Sequence, residues 1–331
     1  MSERDAIAGE LNDATRIGNF KELEIHLVNA RDAPATMHEI GRIREKEFRA
    51  AGAGRGGEVD LDRFDTQWPW YSQLVSWDPE EREIVAMYRA IHCGWALRQG
   101  GLPALRTAEL FEFSDRFREE TLKNSVELGR SVVNRRAKRA LAGLFSVWTG
   151  LGAITREWPE IRFFFGNVSL YRTLPESAVE ALLGYLFRYH RAESGLVIAR
   201  TPVAGLAGIG AGAESSAPGG QAPGERQPRV DEPRNDEPRA DQPRALEDLQ
   251  VQAAAEGWTV PPILLSYLKA HPGMLVFDVA EDADFGGALE VAIAVPVEGV
   301  SARTVKRFIE PYRSINPARF VLPRSAPPGR L

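Results

Sequence analysis

The stretch Val126–Val133, VELGRSVV, which runs on into NRRAKRALAGLFSVWTGLGAI up to Ile154, decides how this chain folds. Its first part alternates β-branched apolar residues with polar ones, which predicts a strand. Its second part has the apolar spacing of a helix. The predicted apolar face of that helix consists of Leu141, Leu144, Phe145, Trp148 and Leu151. We therefore expect a strand that leads into a helix.

Charged residues mark both parts of this stretch. Glu127 and Arg130 lie three residues apart in the strand, and Gly129 between them has no side chain to keep a ligand from the backbone. Four cations follow in the loop: Arg135, Arg136, Lys138 and Arg139. Because a helix N-terminus favours anions, these cations suggest an anionic partner. A solvated basic loop is the alternative.

The composition excludes several classes of protein. The chain has 331 residues, enough for one large domain or two ordinary ones. Its formal net charge of -5 argues against nucleic acid as a partner, and its single cysteine, Cys93, excludes an intramolecular disulfide and a cysteine-cluster zinc site. No metal site is predicted. The N-terminus lacks the apolar core of a signal peptide, and no apolar run is long enough to cross a bilayer. We expect a cytoplasmic bacterial enzyme, with peripheral contact to the inner membrane at most.

The composition also predicts the domain organisation. Residues 1–20 are polar and are predicted to be mobile. Residues 204–246 are rich in Gly, Pro and paired charges and include the pentapeptides RVDEP, RNDEP and RADQP, which predicts a disordered insertion. The short helix and two strands that follow are too little for a separate core. Residues 21–203 and 247–310 are therefore predicted to form a single domain, followed by a proline-rich tail at 311–331.

Two segments in the first half carry further candidate site residues. The segment DLDRFDTQWPW at 60–70 combines Asp62 and Asp65 with aromatic residues, which suggests the wall of a pocket. Arg89 lies near the end of a predicted hairpin, among apolar neighbours. An arginine in such surroundings must be paired, so it could hold a substrate carboxylate or phosphate, or it could form a structural salt bridge.

The order of the predicted elements resembles that of a GNAT acyltransferase domain, an α+β fold with helices on both faces of a mixed central sheet. The motifs IGRIREKEFR, DLDRFD, MYRA and ELGRSVV, followed by PPILLSYLK and DADFGGALEVAIAV, resemble in that order the ornithine lipid N-acyltransferases and the hemolysin-like acyltransferases grouped with them. The first four motifs also resemble those of acyl-homoserine-lactone synthases. The similarity covers roughly residues 23–203 and 258–298.

This resemblance implies roles for individual residues. The residues expected on the amine-substrate side are Arg44, Phe48, Asp62, Asp65 and Arg89. Glu127 and Arg130 are expected at the reacting centre as the catalytic residues. There Glu127 would accept a proton from the amine, and Gly129 or Ser131 would mark the backbone N–H groups that polarise a thioester carbonyl. Arg130 or Arg89 would hold the carboxylate of an amino acid. Alternatively, Glu127 and Arg130 pair with other charges and fix the strand.

The loop after the central strand departs from the family pattern. Ordinary GNAT enzymes carry a QxxGxG-like loop there, which wraps the pyrophosphate of coenzyme A in backbone amides, whereas this chain reads NRRAKRA. The difference favours an acyl carrier protein, whose surface is acidic, over coenzyme A as the acyl donor. The four cations Arg135, Arg136, Lys138 and Arg139 would then meet this partner. No cofactor other than the acyl donor is expected.

The sequence therefore predicts an N-acyltransferase. It would move a long acyl chain, plain or 3-hydroxylated, from acyl carrier protein to the amine of an amino acid and so make an ornithine-lipid-like lyso-aminolipid. One alternative is a signal synthase of the acyl-homoserine-lactone type. Another is a GNAT-like binding module without catalysis. An O-acyltransferase is disfavoured because the chain contains no HxxxxD motif.

Overall fold

An eight-stranded mixed sheet runs through the computed structural model, which describes residues 2–203 and 241–326. In order across the sheet the strands are β1-β2-β3-β4-β6-β7-β10-β9, and β5 pairs with β8 in a small second sheet. The strands are β1 (Arg16–Phe20), β2 (Leu23–Val28), β3 (Ser72–Asp78), β4 (Glu83–His92), β5 (Phe111–Phe113), β6 (Ser125–Val133), β7 (Phe163–Leu170), β8 (Val197–Ala199), β9 (Leu275–Asp282) and β10 (Ala288–Pro296).

Helices cover both faces of this sheet. They are α1 (Glu3–Glu10), α2 (Pro34–Ala50), α3 (Arg63–Thr66), α4 (Cys93–Gly100), α5 (Asp115–Glu120), α6 (Gly143–Glu157), α7 (Glu176–Tyr189), α8 (Gln242–Ala255), α9 (Pro262–Ala270) and α10 (Ala302–Thr304), which continues as a wider turn over Val305–Ile309. The largest apolar core includes buried residues of α6, α7, α8 and α9, and two further cores contain those of α4 and α2. The predicted α+β class is confirmed.

The deciding stretch folds largely as its pattern predicts. Val126 and Leu128 of β6 belong to the same core as α6, and Leu144, Trp148 and Leu151 pack in that core. The predicted apolar face is wrong at Leu141 and Phe145, which are 99% and 37% exposed. The reason is that α6 begins at Gly143, so Leu141 lies in a separate 3-10 turn, Ala140–Ala142, and is not part of the helix face.

A parallel pair, β6 and β7, is the point where the sheet opens. The two strands pair from Ser125 with Phe163 to Leu128 with Gly166, and the ladder ends there although both strands continue. A Cβ on Gly166 would lie 2.3 Å from the carbonyl oxygen of Leu128. Glycine is therefore needed where the strands come closest, immediately before they separate.

Both ends of the chain contact the domain. The first 20 residues are predicted to be mobile, but they form α1 and β1, so this prediction is wrong. A capping box between Ser2 and Asp5 starts α1, and its Ile7 is buried. Near the other end Phe320 is buried, and its carbonyl accepts a hydrogen bond of 2.8 Å from the indole N–H of Trp158.

The segment predicted as an insertion lies mostly outside the described residues. The pentapeptides RVDEP and RNDEP fall entirely outside them, whereas the end of RADQP begins α8 at Gln242. Residues 242–246 are therefore helical, and the predicted boundary at 246 is wrong. Beyond α8 and α9, β10 pairs with β7 and β9 pairs with β10, so these late strands complete the sheet that the first half begins.

Replacement of Gly166 by Ala tests the close approach of β6 and β7. We expect the variant to lose about 2 kcal/mol of unfolding free energy, because the new methyl group forces the two backbones apart. Gly184→Ala is the control, since a Cβ there has nothing within 4 Å and lies within α7, where alanine stabilises a helix. Chemical denaturation of both proteins measures the effect. Equal stability of Gly166→Ala and the wild type would contradict it.

Candidate active site

A cleft of about 160 Å³ opens where β6 and β7 separate. Six of the residues predicted from the sequence line it: Phe48, Arg89, Glu127, Gly129, Arg130 and Ser131. Tyr88 and Tyr267, which belong to β4 and α9, complete part of the wall. The cleft thus brings the predicted reacting centre together with part of the predicted amine-substrate side.

A larger cavity of about 540 Å³ lies elsewhere, between α1, α2 and the β3–β4 turn. Its wall contains mixed charges such as Arg42, Lys46 and Glu58, and of the predicted site residues it includes Arg136. It does not reach Glu127 or Arg130. The smaller cleft is therefore the candidate active site, because Glu127 and Arg130 both line it.

Glu127 is held by three hydrogen-bond donors in the buried wall of the cleft. Its side chain is 2% exposed. Tyr71 donates through its hydroxyl to Oε1 at 2.6 Å, and Thr107 donates through its backbone N–H to Oε1 at 3.2 Å and through its hydroxyl to Oε2 at 2.6 Å. Burial raises the pKa of Glu127, and these hydrogen bonds oppose that rise. The group is thus an oriented carboxylate whose proton affinity is above its ordinary value.

Arg130 lies in a bulge of β6. Met87 pairs with Val132 and Arg89 pairs with Gly129, so two residues of β6, Arg130 and Ser131, face Tyr88 alone. Arg130 has a φ of 53°, a left-handed conformation that costs energy for a residue with a side chain. Such strained residues cluster at functional sites.

The Arg130 guanidinium has nearby charges but free donors. Its Nε lies 2.9 Å from Asp60 Oδ2 and its second terminal nitrogen lies 4.0 Å from Asp62 Oδ2. The angle at Nε leaves that atom without a hydrogen-bond partner within the described ranges. The guanidinium carbon stands 4.2 Å from the ring centroid of Phe285. Arg130 is thus fixed in place, with N–H groups left for a ligand.

Arg89 differs from Arg130, because carboxylates of the same chain already accept hydrogen bonds from it. One terminal nitrogen donates to both oxygens of Asp62 at 2.8 Å and to Asp65 at 3.2 Å. Arg44 in turn donates to Asp65 at 3.1 Å. Burial raises the pKa of Asp62, but the charge and hydrogen bonds of Arg89 outweigh it and hold that pKa well below its usual range.

These contacts correct part of the predicted amine-substrate side. Arg44, Asp62 and Asp65 do not line the cleft; they form a buried ion-pair network behind Arg89. The sequence pattern identified charges that belong together but could not tell which of them faces the cavity. In this structure the two carboxylates contact Arg89 and, with Arg44, stay outside the wall of the cleft.

The basic loop is largely paired with acids of the same chain. Arg135 contacts Glu47, Lys138 contacts Glu81, and Arg139 contacts both Asp78 and Glu80. Arg136 is exposed, and no acid of the described residues pairs with it. Acids of the same chain thus pair with three of the four cations of this loop. Arg136 is the cation that stays available to an anionic partner.

Comparisons with known proteins identify the family of this chain. A model of the acetyltransferase (GNAT) domain matches residues 43–148. The glycine N(alpha)-acyltransferase of Bacteroides thetaiotaomicron is 30% identical over 323 residues, which cover 93% of this chain and 89% of that protein. This chain belongs to that acyltransferase family.

Two further similarities were found. The glycine N(alpha)-acyltransferase of Phocaeicola vulgatus is 28% identical to this acyltransferase over 335 residues, covering 98% of this chain and 96% of that protein. The crystal structure of the AHL synthase LasI matches 44% of this chain and 72% of its own with a TM-score of 0.32 and 12% identity. The predictions of a GNAT fold and of an enzyme that acylates an amine are confirmed. The ornithine lipid subgroup stays a prediction.

Several residues of the acyltransferase cleft were not predicted. Tyr71 and Thr107 are far from Glu127 in sequence, and neither lies in a charged motif that would draw attention to it. Glu290 of β10 is buried beside the cleft, accepts hydrogen bonds from Asn167 and Ser169, and has its pKa raised by burial. Glu290 could have been identified from the sequence, because it is an acid inside the apolar run of β10.

Other groups of the acyltransferase take no evident part in the reaction. Cys93 is buried, and burial raises the pKa of its thiol, which suppresses the nucleophilic thiolate. Across residues 2–203 and 241–326 we find no group of three or more His, Cys, Asp or Glu side chains arranged to hold a metal ion. Over the same ranges, no helix combines the length and apolar character needed to cross a bilayer.

Tyr71→Phe tests the role of the hydrogen bonds on Glu127. A base must be ionised to accept a proton, so activity rises as the pH rises through the pKa of Glu127. The Tyr71 hydroxyl stabilises the ionised form, so its removal raises that pKa and should move the acidic limb of the kcat/KM profile to higher pH.

The matched control for this experiment is Tyr312→Phe, which removes a tyrosine–glutamate hydrogen bond of 2.7 Å to Glu157, away from the cleft. This control should keep the wild-type pH profile. If the Tyr71→Phe limb coincided with that of the wild type, Glu127 would not be the titrating base.

Proposed function

We propose that this acyltransferase joins a long acyl chain to the amine of glycine, with acyl carrier protein as the donor. The observation that carries the proposal is the placement of Glu127 and Arg130 in one small cleft, three residues apart on β6. Both relatives of nearly full-length similarity are named for acyl transfer to glycine. Glycine is therefore the acceptor to be tested, where the sequence predicted only the amine of an amino acid.

Glu127 would act as the base. Glycine enters as an ammonium ion, and its nitrogen must lose a proton, directly or through a water, before it can attack. The attack forms a C–N bond at the thioester carbonyl, and the C–S bond then breaks with protonation of the departing sulfur. The Tyr71 and Thr107 hydrogen bonds supply orientation, while burial supplies the raised pKa.

The bulge in β6 would stabilise the oxyanion. At Arg130 and Ser131 the backbone departs from regular pairing with β4, next to the point where pairing with β7 ends. Backbone N–H groups released in this way can point at a developing negative charge, and one such donor is typically worth about 3 kcal/mol. Ser131 and Gly129 both line the cleft at this level.

Arg130 would bind the carboxylate of glycine. Its planar group can donate two parallel hydrogen bonds to a carboxylate, and its contact of 2.9 Å with Asp60 is an ion pair that leaves Nε without a hydrogen bond within the described structure. Arg89 is the poorer candidate since Asp62 and Asp65 already occupy it. A small amino acid also suits a cleft of about 160 Å³ that must admit the thioester as well.

Two small apolar spaces, of about 10 and 50 Å³, mark the route that would have to widen for a long acyl chain. The cleft shares Tyr88, Leu128 and Tyr267 with a narrow gap between β6, β7 and β10. That gap shares Phe164 and Val295 with an apolar pocket beneath α6. The hydroxyls of Tyr88 and Tyr267 contact each other along this path, so the two side chains would part to admit a tail.

The donor assignment rests on the loop after β6. Its sequence lacks the glycines that wrap a pyrophosphate, which supports a carrier protein over coenzyme A. Ion pairs to Glu47, Glu81 and Asp78 reduce the positive charge of the loop, so Arg136 would be its main contact with an acidic carrier.

A comparison of glycine with glycine amide tests the proposal. Purified protein is given long-chain acyl carrier protein or the matching acyl coenzyme A, and N-acyl products are quantified by mass spectrometry. We expect glycine to exceed ornithine as acceptor and carrier protein to exceed coenzyme A as donor. Arg130→Gln should lose about tenfold to a hundredfold in kcat/KM with glycine but little with glycine amide, which has no carboxylate.

Arg118→Gln, on the surface of α5, is the control and should leave kcat/KM unchanged with both acceptors. If Arg130→Gln lost the same factor in kcat/KM with glycine and with glycine amide, Arg130 would stabilise β6 rather than bind the substrate carboxylate. Turnover of ornithine above that of glycine would overturn the assigned acceptor.

A further inference from the structure

A patch of apolar and basic side chains lies on the surface at the start of α6, away from Glu127. We call it the α6 patch and define it by Leu141, Phe145, Arg303, Lys306 and Arg307. Leu141 is 99% exposed and Phe145 is 37% exposed. The three cations are exposed as well. Large apolar side chains that stand together at a surface usually mark a contact site.

Close packing holds the two halves of this patch together. Gly152 of α6 has no side chain, and a Cβ there would lie 1.9 Å from the carbonyl oxygen of Phe308. The rings of Phe145 and Phe308 stack with centroids 6.1 Å apart. The guanidinium carbon of Arg307 lies 4.0 Å from the centroid of Phe145. The aromatic ring and the cation are thus fixed side by side.

The positive charge of the patch is not used inside the described structure. Residues 301–313 contain four cations and one acid, a local charge of +3, in a chain whose formal net charge is -5. Arg303 and Lys306 make no ion pair with any described residue. The basic loop contrasts with this, since acids of the same chain pair with three of its four cations. The free charge of the patch therefore favours an anionic partner from outside.

We propose that the α6 patch seats this enzyme on an anionic lipid bilayer. Leu141 and Phe145 would enter the interface, while Arg303, Lys306 and Arg307 would contact lipid phosphates. Exposed apolar side chains flanked by cations are typical of proteins that lie on a bilayer surface. An acidic protein would satisfy the cations but offers less reason for a leucine that is fully exposed in the free enzyme.

The position of the patch fits an amphiphilic product. Phe308 lies behind Phe145 and also lines the apolar pocket beneath α6, together with Thr304 and Ile309. An acyl tail that leaves this pocket would emerge beside the patch. This connection rests on the proposed function, whereas binding of the patch to lipid does not.

Vesicle sedimentation with the full-length protein tests the proposal. We expect binding to vesicles of phosphatidylglycerol and phosphatidylcholine, and little binding to phosphatidylcholine alone. Arg303→Glu with Lys306→Glu should weaken binding at least about tenfold, because each cation near an anionic surface contributes to attraction. Leu141→Ser should weaken it as well. Arg98→Glu with Arg188→Glu, two exposed positions outside the patch, matches the charge change and should leave binding nearly intact.

Acyl transfer from a water-soluble donor, measured on the same variants, should stay at the wild-type rate. If acyl transfer is absent but vesicle binding follows the predicted pattern, the proposed function is wrong and the bilayer proposal is supported. Equal vesicle binding by the patch variant and its control would overturn the bilayer proposal. The wild-type protein could also fail to bind any vesicle, while Arg303→Glu/Lys306→Glu loses binding to carrier protein. That pair of results would assign the patch to a protein partner and overturn the bilayer proposal.

Discussion

The pairing of β6 with β7 ends at Leu128 and Gly166, where the backbones approach so closely that a Cβ on Gly166 would lie 2.3 Å from the carbonyl oxygen of Leu128. Up to this contact the strands are joined; beyond it the ladder ends, and the bulge at Arg130 turns the β6 backbone away from regular pairing with β4. Both departures fall within a few residues, so one short stretch opens the sheet and exposes backbone there. The cleft, its acid and its arginine depend on this local failure of strand pairing.

Charge balance then decides which groups can act on a substrate. Burial of an ion is costly unless it is paired, and Arg44 and Arg89 are paired with Asp65 and Asp62. Arg130 is close to Asp60 but without good hydrogen-bond geometry. Within the described residues, Nε has no hydrogen-bond partner in any of these three arginines. Arg44 and Arg89 donate through their terminal nitrogens to carboxylates, whereas Arg130 at the cleft wall contacts Asp60 as an ion pair. Burial and ion pairing together distinguish residues that position from residues that bind.

The sequence was sufficient for features that depend on local pattern. Alternation predicted β6, and helical spacing predicted most of α6. Features that depend on tertiary contacts could not be predicted in this way. The hydrogen-bond donors to Glu127, for example, come from residues up to 56 positions away. Likewise, whether Arg44 or Arg89 faces the cleft depends on which carboxylate each one meets.

The central claim is that the opening between β6 and β7 is where amine and thioester meet beside Glu127. A crystal structure with a bisubstrate analogue, in which glycine is joined to a long acyl thioether, tests it most directly. The account predicts the glycine nitrogen within direct or one-water hydrogen-bond reach of Glu127, at about 3 Å for each such bond, the carboxylate on Arg130 and the tail directed past Tyr267. An analogue seated instead in the larger cavity beside α1 and α2, with Glu127 untouched, would contradict it.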